Sequence, residues 1–129
     1  MKIYLASKFS FKNKVEEIYK ILMDYGHHIT CVWWHDDVKR IGGTDKNWYS
    51  LPLIQNIAKR DFKGIDDADI LILIAPQYTP VCFNGANVEL GYAYAKNKKI
   101  IIYGAVDRNA LYFKCIFVQS IDELLREVQ

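Results

Sequence analysis

The amino-acid sequence predicts an α/β fold, in which a parallel sheet is covered by helices on both faces. Apolar runs of strand length alternate along the chain with segments of helical spacing, which is the order of a sheet with helical crossovers. Ile70–Ala75 (ILILIA) is apolar at every position, as a central parallel strand requires. The 129 residues, 51% of them hydrophobic, suit one domain spanning residues 1–129.

The first half of the chain begins with a buried strand, Lys2–Ala6 (KIYLA). Residues 12–25 have apolar side chains on one helix face, and Gly26 ends that helix in the usual C-terminal way. A second strand is predicted over residues 29–33. The glycines within residues 41–47 indicate a loop.

The second half begins with a helix that Ser50 can cap, with Pro52 in its first turn, and that runs towards Asp67. The central strand Ile70–Ala75 follows it. The remaining helices are predicted at residues 87–97 and 121–128, and the remaining strands at residues 99–103 and 115–118. Five strands in this order predict a flavodoxin-like (Rossmann-like) doubly wound sheet, whose ligands bind beyond the carboxyl ends of the strands.

The composition limits the classes of function. A net charge of +2 is too slight to predict binding to a nucleic acid polymer, and the apolar run at residues 70–76 is too short to cross a membrane. The three cysteines lack metal-site spacing and no secretory leader pattern opens the sequence, so we expect reduced thiols in a cytoplasmic protein. The three histidines also lack supporting ligands, so we expect no metal, and no cofactor is implied.

Asp61 breaks the pattern of the second helix. Ile54, Ala58 and Ile65 form an apolar stripe, and Asp61 occupies the position that completes it. A core-facing aspartate costs several kcal/mol if it is unpaired. Two interpretations follow: Asp61 rotates to the edge and pairs with Lys59 or Arg60, or it points over the strand ends into a site.

Glu89 is the single carboxylate in a segment of small and apolar residues, GANVELGYAYA. It can be an ordinary first-turn glutamate that faces the positive end of its helix. Gly85 and the neighbouring small residues also leave room for a ligand, and a fixed carboxylate there suits a nucleophile. Tyr4, in the first strand, needs a partner for its hydroxyl: either a core carbonyl or a carboxylate at the end of the strand.

Two further positions are weaker candidates. Ser7, with Lys8 and Ser10, follows the first strand and precedes a helix, where backbone amides can cradle a phosphate. Trp34, at the end of the predicted second strand, can stack on a base or close the edge of the core.

Three segments together resemble the nucleoside 2-deoxyribosyltransferase family, which includes the 2′-deoxynucleoside 5′-phosphate N-hydrolases. They are IYLAS, KRDFKGIDDADILI and GANVELGYAYAKNKKIII, and the similarity extends from Lys2 to about Asn109. The resemblance implies a flavodoxin-like domain that cleaves the N-glycosidic bond of a small nucleoside or nucleotide. It also implies a homo-oligomer, dimer or higher, with sites near the subunit interfaces.

The resemblance implies a role for individual residues. Glu89 matches the nucleophile, Asp61 the aspartate that assists at the sugar and the departing base, and Tyr4 the tyrosine that holds the glutamate. The remaining matches are the pocket-lining Ser7 and Phe9, and Asn109, a polar position that reaches a neighbouring subunit's site. Transferases also carry an aspartate before the glutamate helix, where this chain has Phe83 and Asn84. Asn84 can hydrogen-bond a base but cannot shuttle a proton at neutral pH.

Three functions therefore stay open at this point. The first is deoxyribosyl transfer through a covalent glycosyl-enzyme intermediate on Glu89. The second is hydrolysis of a 2′-deoxynucleoside 5′-monophosphate, and the third is a non-catalytic nucleotide-binding module. In the enzymes, Asp61 is the candidate proton donor to the base, a role that requires burial to raise its pKa.

Overall fold

The computed structural model describes residues 1–36, 52–76, 84–104 and 112–129. Its strands form one five-stranded parallel sheet. The strands are β1 (Lys2–Ala6), β2 (His28–Ile29), β3 (Ile70–Ala75), β4 (Lys99–Gly104) and β5 (Ile116–Val118). The helices are α1 (Lys12–Asp24), α2 (Pro52–Asp67), α3 (Asn84–Ala95) and α4 (Ile121–Glu127). The strand order, β2-β1-β3-β4-β5, confirms the predicted flavodoxin-like doubly wound class.

The sheet separates two apolar cores, because successive side chains of a strand point to opposite faces. Ile3 and Leu5 of β1 pack with α1 and α4, whereas Tyr4 and Ala6 pack with α2 and α3. β3 lies in the middle of the sheet, and all six of its residues are fully buried. The prediction of a central strand at these residues is confirmed, and the face with α2 and α3 is the one that carries the candidate site.

Two predicted helix ends are also confirmed. Gly26 follows α1 with φ +86°, a left-handed conformation that glycine adopts without steric cost. Ser120 caps α4, where its hydroxyl accepts a hydrogen bond from the backbone amide of Glu123 at 3.2 Å. α2 begins at Pro52 as predicted, whereas Ser50 and the predicted loop at residues 41–47 lie outside the described residues.

The predicted second strand, residues 29–33, is wrong in its extent. β2 has only two residues, and Trp33–His35 form a 3-10 turn. The backbone amide of Thr30 still bonds to the Ile3 carbonyl, at 2.9 Å. The next carbonyl on that edge of β1, that of Leu5, accepts instead from the indole Nε1 of Trp33 at 2.6 Å. The Trp33 side chain thus occupies the backbone carbonyl to which a longer β2 would donate its next hydrogen bond.

Smaller differences in the ends of helices and strands concern the second half of the chain. α3 begins at Asn84, three residues before the predicted start, and ends at Ala95. β5 begins one residue late, because the amide of Cys115 closes a turn on the carbonyl of Tyr112 at 2.9 Å. β4 ends one residue late, at Gly104.

Gly104 fixes the end of β4 against β3. Its φ is +104°, and a Cβ at this position would lie 1.8 Å from the carbonyl oxygen of Ala75. Only glycine permits this approach, because both the dihedral angle and the contact exclude a side chain. The carboxyl ends of the two central strands are therefore held together at the edge where ligands bind in this fold.

Candidate active site

Tyr4 is the buried centre of the candidate site. Its side chain is fully buried on the face covered by α2 and α3, and its hydroxyl donates a hydrogen bond to Oε2 of Glu89. Burial, and then the charges of Glu89 and Asp61, raise the pKa of Tyr4 far above its ordinary value. Tyr4 therefore stays protonated and acts as a fixed donor to the carboxylate.

Glu89 is partly buried on α3, and its pKa is raised to about 7. Burial is the main cause, the charge of Asp61 raises the pKa further, and the hydrogen bond from Tyr4 opposes both. Because α3 begins at Asn84, Glu89 lies in the second helical turn, and the first turn contains no acidic residue. The first-turn interpretation is therefore wrong, since the dipole effect falls off within the first turn. Tyr4 takes the place of the helix end as the group that stabilises the charge.

Asp61 makes the ion pair that the edge interpretation expects, and it also faces the site. Its Oδ1 accepts from Arg60 Nε at 3.1 Å and Nη2 at 2.9 Å. The same oxygen contacts the thiol of Cys31, whose Sγ lies 3.4 Å away. Its side chain is 23% exposed, and its charge raises the pKa values of both Tyr4 and Glu89. The two carboxylates thus share one electrostatic environment.

The apolar stripe that predicted a core-facing Asp61 is buried only in the C-terminal half of α2. Ile65 is fully buried, Ile54 is partly buried and Ala58 is exposed. Asp61 lies between these two zones, at the margin of the core.

Cys31 and Gly64 complete the surroundings of Tyr4, and both escaped the sequence analysis as site residues. Burial, and then the charge of Asp61, raise the pKa of the Cys31 thiol to about 12, so it remains a donor. A Cβ on Gly64 would lie 3.1 Å from Cδ2 and Cε2 of Tyr4 and from Cβ of Cys31. A glycine inside an amphipathic helix costs about 1 kcal/mol relative to alanine, so Gly64 was a signal of close packing.

Two predicted pocket residues lie just after β1. Ser7 is buried and its hydroxyl donates to the carbonyl of Ile74 at 2.7 Å, which ties the end of β1 to β3. Phe9 is partly buried, and Nζ of Lys12 lies 5.1 Å from the centroid of its ring. Lys8 and Ser10 are exposed.

Gly85 lies on α3 one helical turn before Glu89. No described residue would lie within 4 Å of a Cβ at Gly85, and the same holds for Gly91. Neither glycine packs closely against the described residues, whereas Ala86 and Ala93 are buried against the sheet. A helical side chain covers the turn before it, so the space that the described residues leave at Gly85 lies on the side towards which Glu89 points.

The structure does not bring Trp34 to this group. It is 4% exposed in the core with α1 and α4, and its indole Nε1 donates to Oε2 of Glu16 at 2.5 Å. This placement matches the alternative in which Trp34 closes the core. Trp33 instead packs against both cores. Asn109, Phe83 and the side chain of Asn84 lie outside the described residues.

The part of the chain that the structure describes contains neither a cluster of metal ligands nor a helix that could span a membrane. Within it, no three histidine, cysteine, aspartate or glutamate side chains cluster as metal ligands would. Of the helices in the same ranges, none combines the length and apolar character of a membrane span. Cys31 and Cys115 are free thiols.

Comparison with known proteins shows the family of this chain. The family model for nucleoside 2-deoxyribosyltransferase matches residues 3–120, and the chain belongs to this family. A search of curated proteins found no significant match.

Solved structures that share the fold include two enzymes. The CMP N-glycosidase BcmB of Clostridium botulinum is 21% identical with a TM-score of 0.61, over 99% of this chain and 98% of that one. A 2-deoxyribosyltransferase of Bacillus psychrosaccharolyticus is 20% identical with a TM-score of 0.66, over 96% of this chain and 90% of that one.

Proposed function

We propose that this protein cleaves the N-glycosidic bond of 2′-deoxynucleosides, with Glu89 as the nucleophile. The observation that carries the proposal is the hydrogen bond from the buried Tyr4 hydroxyl to the partly buried carboxylate of Glu89. This pair lies on one face of a flavodoxin-like sheet in a member of the nucleoside 2-deoxyribosyltransferase family.

In the first step, a carboxylate oxygen of Glu89 forms a bond to the anomeric carbon while the bond from that carbon to the base nitrogen breaks. The electron pair of the broken bond leaves with the base nitrogen, which takes up a proton from a water molecule. Tyr4 holds Oε2, so Oε1 is the oxygen that attacks from a fixed geometry. The logic is that of a retaining glycosidase with a nitrogen leaving group.

The resulting glycosyl ester is resolved by water, which gives the free sugar, or by a second base, which gives a new nucleoside. Asp61 assists in this scheme as an acceptor. Its Oδ1 is engaged by Arg60 and Cys31, and its other oxygen is assigned to a sugar hydroxyl or to an N–H of the base. Proton donation from Asp61 to the departing base, the role considered for it from the sequence, is the alternative assignment.

A second candidate substrate is a 2′-deoxynucleoside 5′-monophosphate. The favouring observation is that Lys8, Ser10 and Lys12, all exposed, surround the turn that follows β1. These side chains can bind a phosphate, whereas the Ser7 hydroxyl already donates a hydrogen bond to the carbonyl of Ile74.

We also propose that the protein forms a homo-oligomer, on the basis of family membership, and that residues 1–129 form a single domain.

The test is incubation with a panel of deoxynucleosides, ribonucleosides and their 5′-monophosphates, each with and without a second free base. Chromatography then separates released base, sugar or sugar phosphate, and exchanged nucleoside. We expect base release by the wild type and none by Glu89→Ala or Glu89→Gln. Wild-type turnover by a folded Glu89 variant would refute the mechanism, and binding without any product would identify a non-catalytic nucleotide-binding module.

A further inference from the structure

Arg60 and Asp36 form a pair that the proposed chemistry does not use. The guanidinium of Arg60 binds Asp36 in a bidentate manner, with Nη1 to Oδ1 at 2.9 Å and Nη2 to Oδ2 at 2.7 Å. Asp36 follows the 3-10 turn Trp33–His35, and Arg60 lies on α2. The pair therefore links the segment after β2 to the helix that carries Asp61.

The second edge of the same guanidinium faces Asp61, through Nε and Nη2. Side chains at neighbouring helix positions do not normally face each other. Arg60 therefore meets Asp61 because Asp36 draws the guanidinium to that side of the helix. With both edges occupied, the fork has one defined orientation between the two carboxylates.

The donors to Asp61 from residues 1–36, 52–76, 84–104 and 112–129 share one acceptor atom. Arg60 Nε, Arg60 Nη2 and Cys31 Sγ all lie within 3.4 Å of Oδ1. The direction of Oδ2 follows from this geometry, since a carboxylate whose one oxygen accepts from α2 and from the segment after β2 cannot rotate freely. Arg60 itself is 41% exposed, so it has no packing reason to be held there.

We infer that Arg60 and Asp36 are positioning residues for Asp61. They set the rotamer in which Oδ1 is occupied and Oδ2 is presented to the substrate. The inference rests on the proposed function, because it assigns a task to Asp61 in that reaction. It adds two residues, at positions 36 and 60, that do not touch the substrate and act through Asp61 alone.

The test is a double-mutant cycle on base release, with Arg60→Gln, Asp61→Asn and the double variant. Arg60→Gln should lower kcat/KM by about 10- to 100-fold, the size of effect that a misplaced catalytic group has. In the Asp61→Asn background, Arg60→Gln should change kcat/KM by less than about twofold, because no carboxylate remains to be positioned. Equal losses in both backgrounds would overturn the inference.

Two controls separate positioning from charge and from folding. Lys59→Gln removes a positive charge from the adjacent, exposed position of α2 and should leave kcat/KM within about twofold of the wild type. Asp36→Asn should lower kcat/KM as Arg60→Gln does, and it replaces Arg60→Gln if that variant does not give the wild-type circular dichroism spectrum. If Lys59→Gln lowered kcat/KM as much as Arg60→Gln does, the loss of a positive charge alone would explain both effects, and the inference would be overturned.

A spectroscopic measurement keeps the inference separate from the proposed function. If the wild type releases base and Arg60→Gln has no effect, the inference fails and the function stands. If the wild type acts on no substrate in the panel, the function fails, and the side-chain carboxyl carbon of Asp61 is followed by NMR. Arg60→Gln and Asp36→Asn should then move that resonance and Lys59→Gln should not. An unmoved resonance would overturn the positioning of Asp61 as well.

Discussion

Replacing Glu89 with glutamine should stabilise the fold at neutral and alkaline pH, because the wild-type carboxyl ionises in a partly buried site. The pKa of Glu89 rises from its ordinary 4.5 to about 7. Each unit corresponds to about 1.4 kcal/mol, so ionisation above pH 7 costs the folded state about 3 kcal/mol relative to the unfolded chain. Glutamine carries no charge and can still accept the hydrogen bond from Tyr4.

The sign of the pH dependence follows from the direction of the shift. The folded protein holds the Glu89 proton more tightly than the unfolded chain does, so this contribution to stability is complete below about pH 4.5 and is lost as the pH rises to about 7. The advantage of Glu89→Gln over the wild type should therefore grow between these values and become constant above about pH 8.

The measurement is urea unfolding of the two proteins at several pH values between 4 and 9, with the free energy of unfolding obtained by linear extrapolation. Glu17→Gln is the matched control, since Glu17 is an exposed glutamate of α1 paired with Lys14 at the surface. Its difference from the wild type should stay within about 0.5 kcal/mol across the range. A difference for Glu89→Gln that is equally flat would refute the claim that burial raises the pKa of Glu89.

Three further predictions concern catalysis, packing and assembly. The kcat/KM of base release should rise with pH through about 7 as Glu89 ionises. Tyr4→Phe should lower the rate and move this rise to higher pH, because the variant lacks the hydrogen bond that lowers the pKa of Glu89 in the wild type. An unmoved limb in the pH profile would contradict this pairing. Gly64→Ala should destabilise the protein by about 1–3 kcal/mol in urea unfolding and reduce base release, because its Cβ would contact Tyr4. Gly91→Ala, whose Cβ would contact no described residue, should stabilise it by about 0.5–1 kcal/mol. If both alanines stabilise the fold, the contact with Tyr4 is not rigid. Light scattering should give a mass of at least twice the 15.0 kDa of one chain, and a monomer at micromolar concentration would exclude the proposed homo-oligomer.

The central part of the fold was predictable from sequence because its cause is local. β3 is apolar throughout, and the buried residues of α1 lie on one stripe. Each of these patterns therefore predicts which side chains are buried. The end of β2 was not predictable in this way. It depends on the contact between the Trp33 indole and the Leu5 carbonyl, which are brought together only by the fold.

In the candidate site as well, residues that break a local sequence pattern were predictable, whereas contacts that only the fold creates were not. Glu89 and Asp61 were recognisable because a carboxylate among small or apolar residues violates a pattern. Asp36 and Arg60 violate none, since charged residues in a polar segment are ordinary, and their contact spans 24 positions in the sequence. Trp34 was the opposite case: an aromatic residue at a predicted strand end fits a base platform and a core equally well, and burial in the tertiary structure decides between them.

The indole of Trp33 has a consequence for how the sheet meets other molecules. By taking the Leu5 carbonyl, it limits β2 to two residues, and β2 is an outer strand of the sheet. The other outer strand, β5, has three residues. Outer strands this short offer a neighbouring chain few backbone groups for pairing, which is one of the ways in which natural proteins avoid edge-to-edge aggregation. A single tryptophan side chain thus shortens the row of backbone groups that one margin of the sheet offers for pairing.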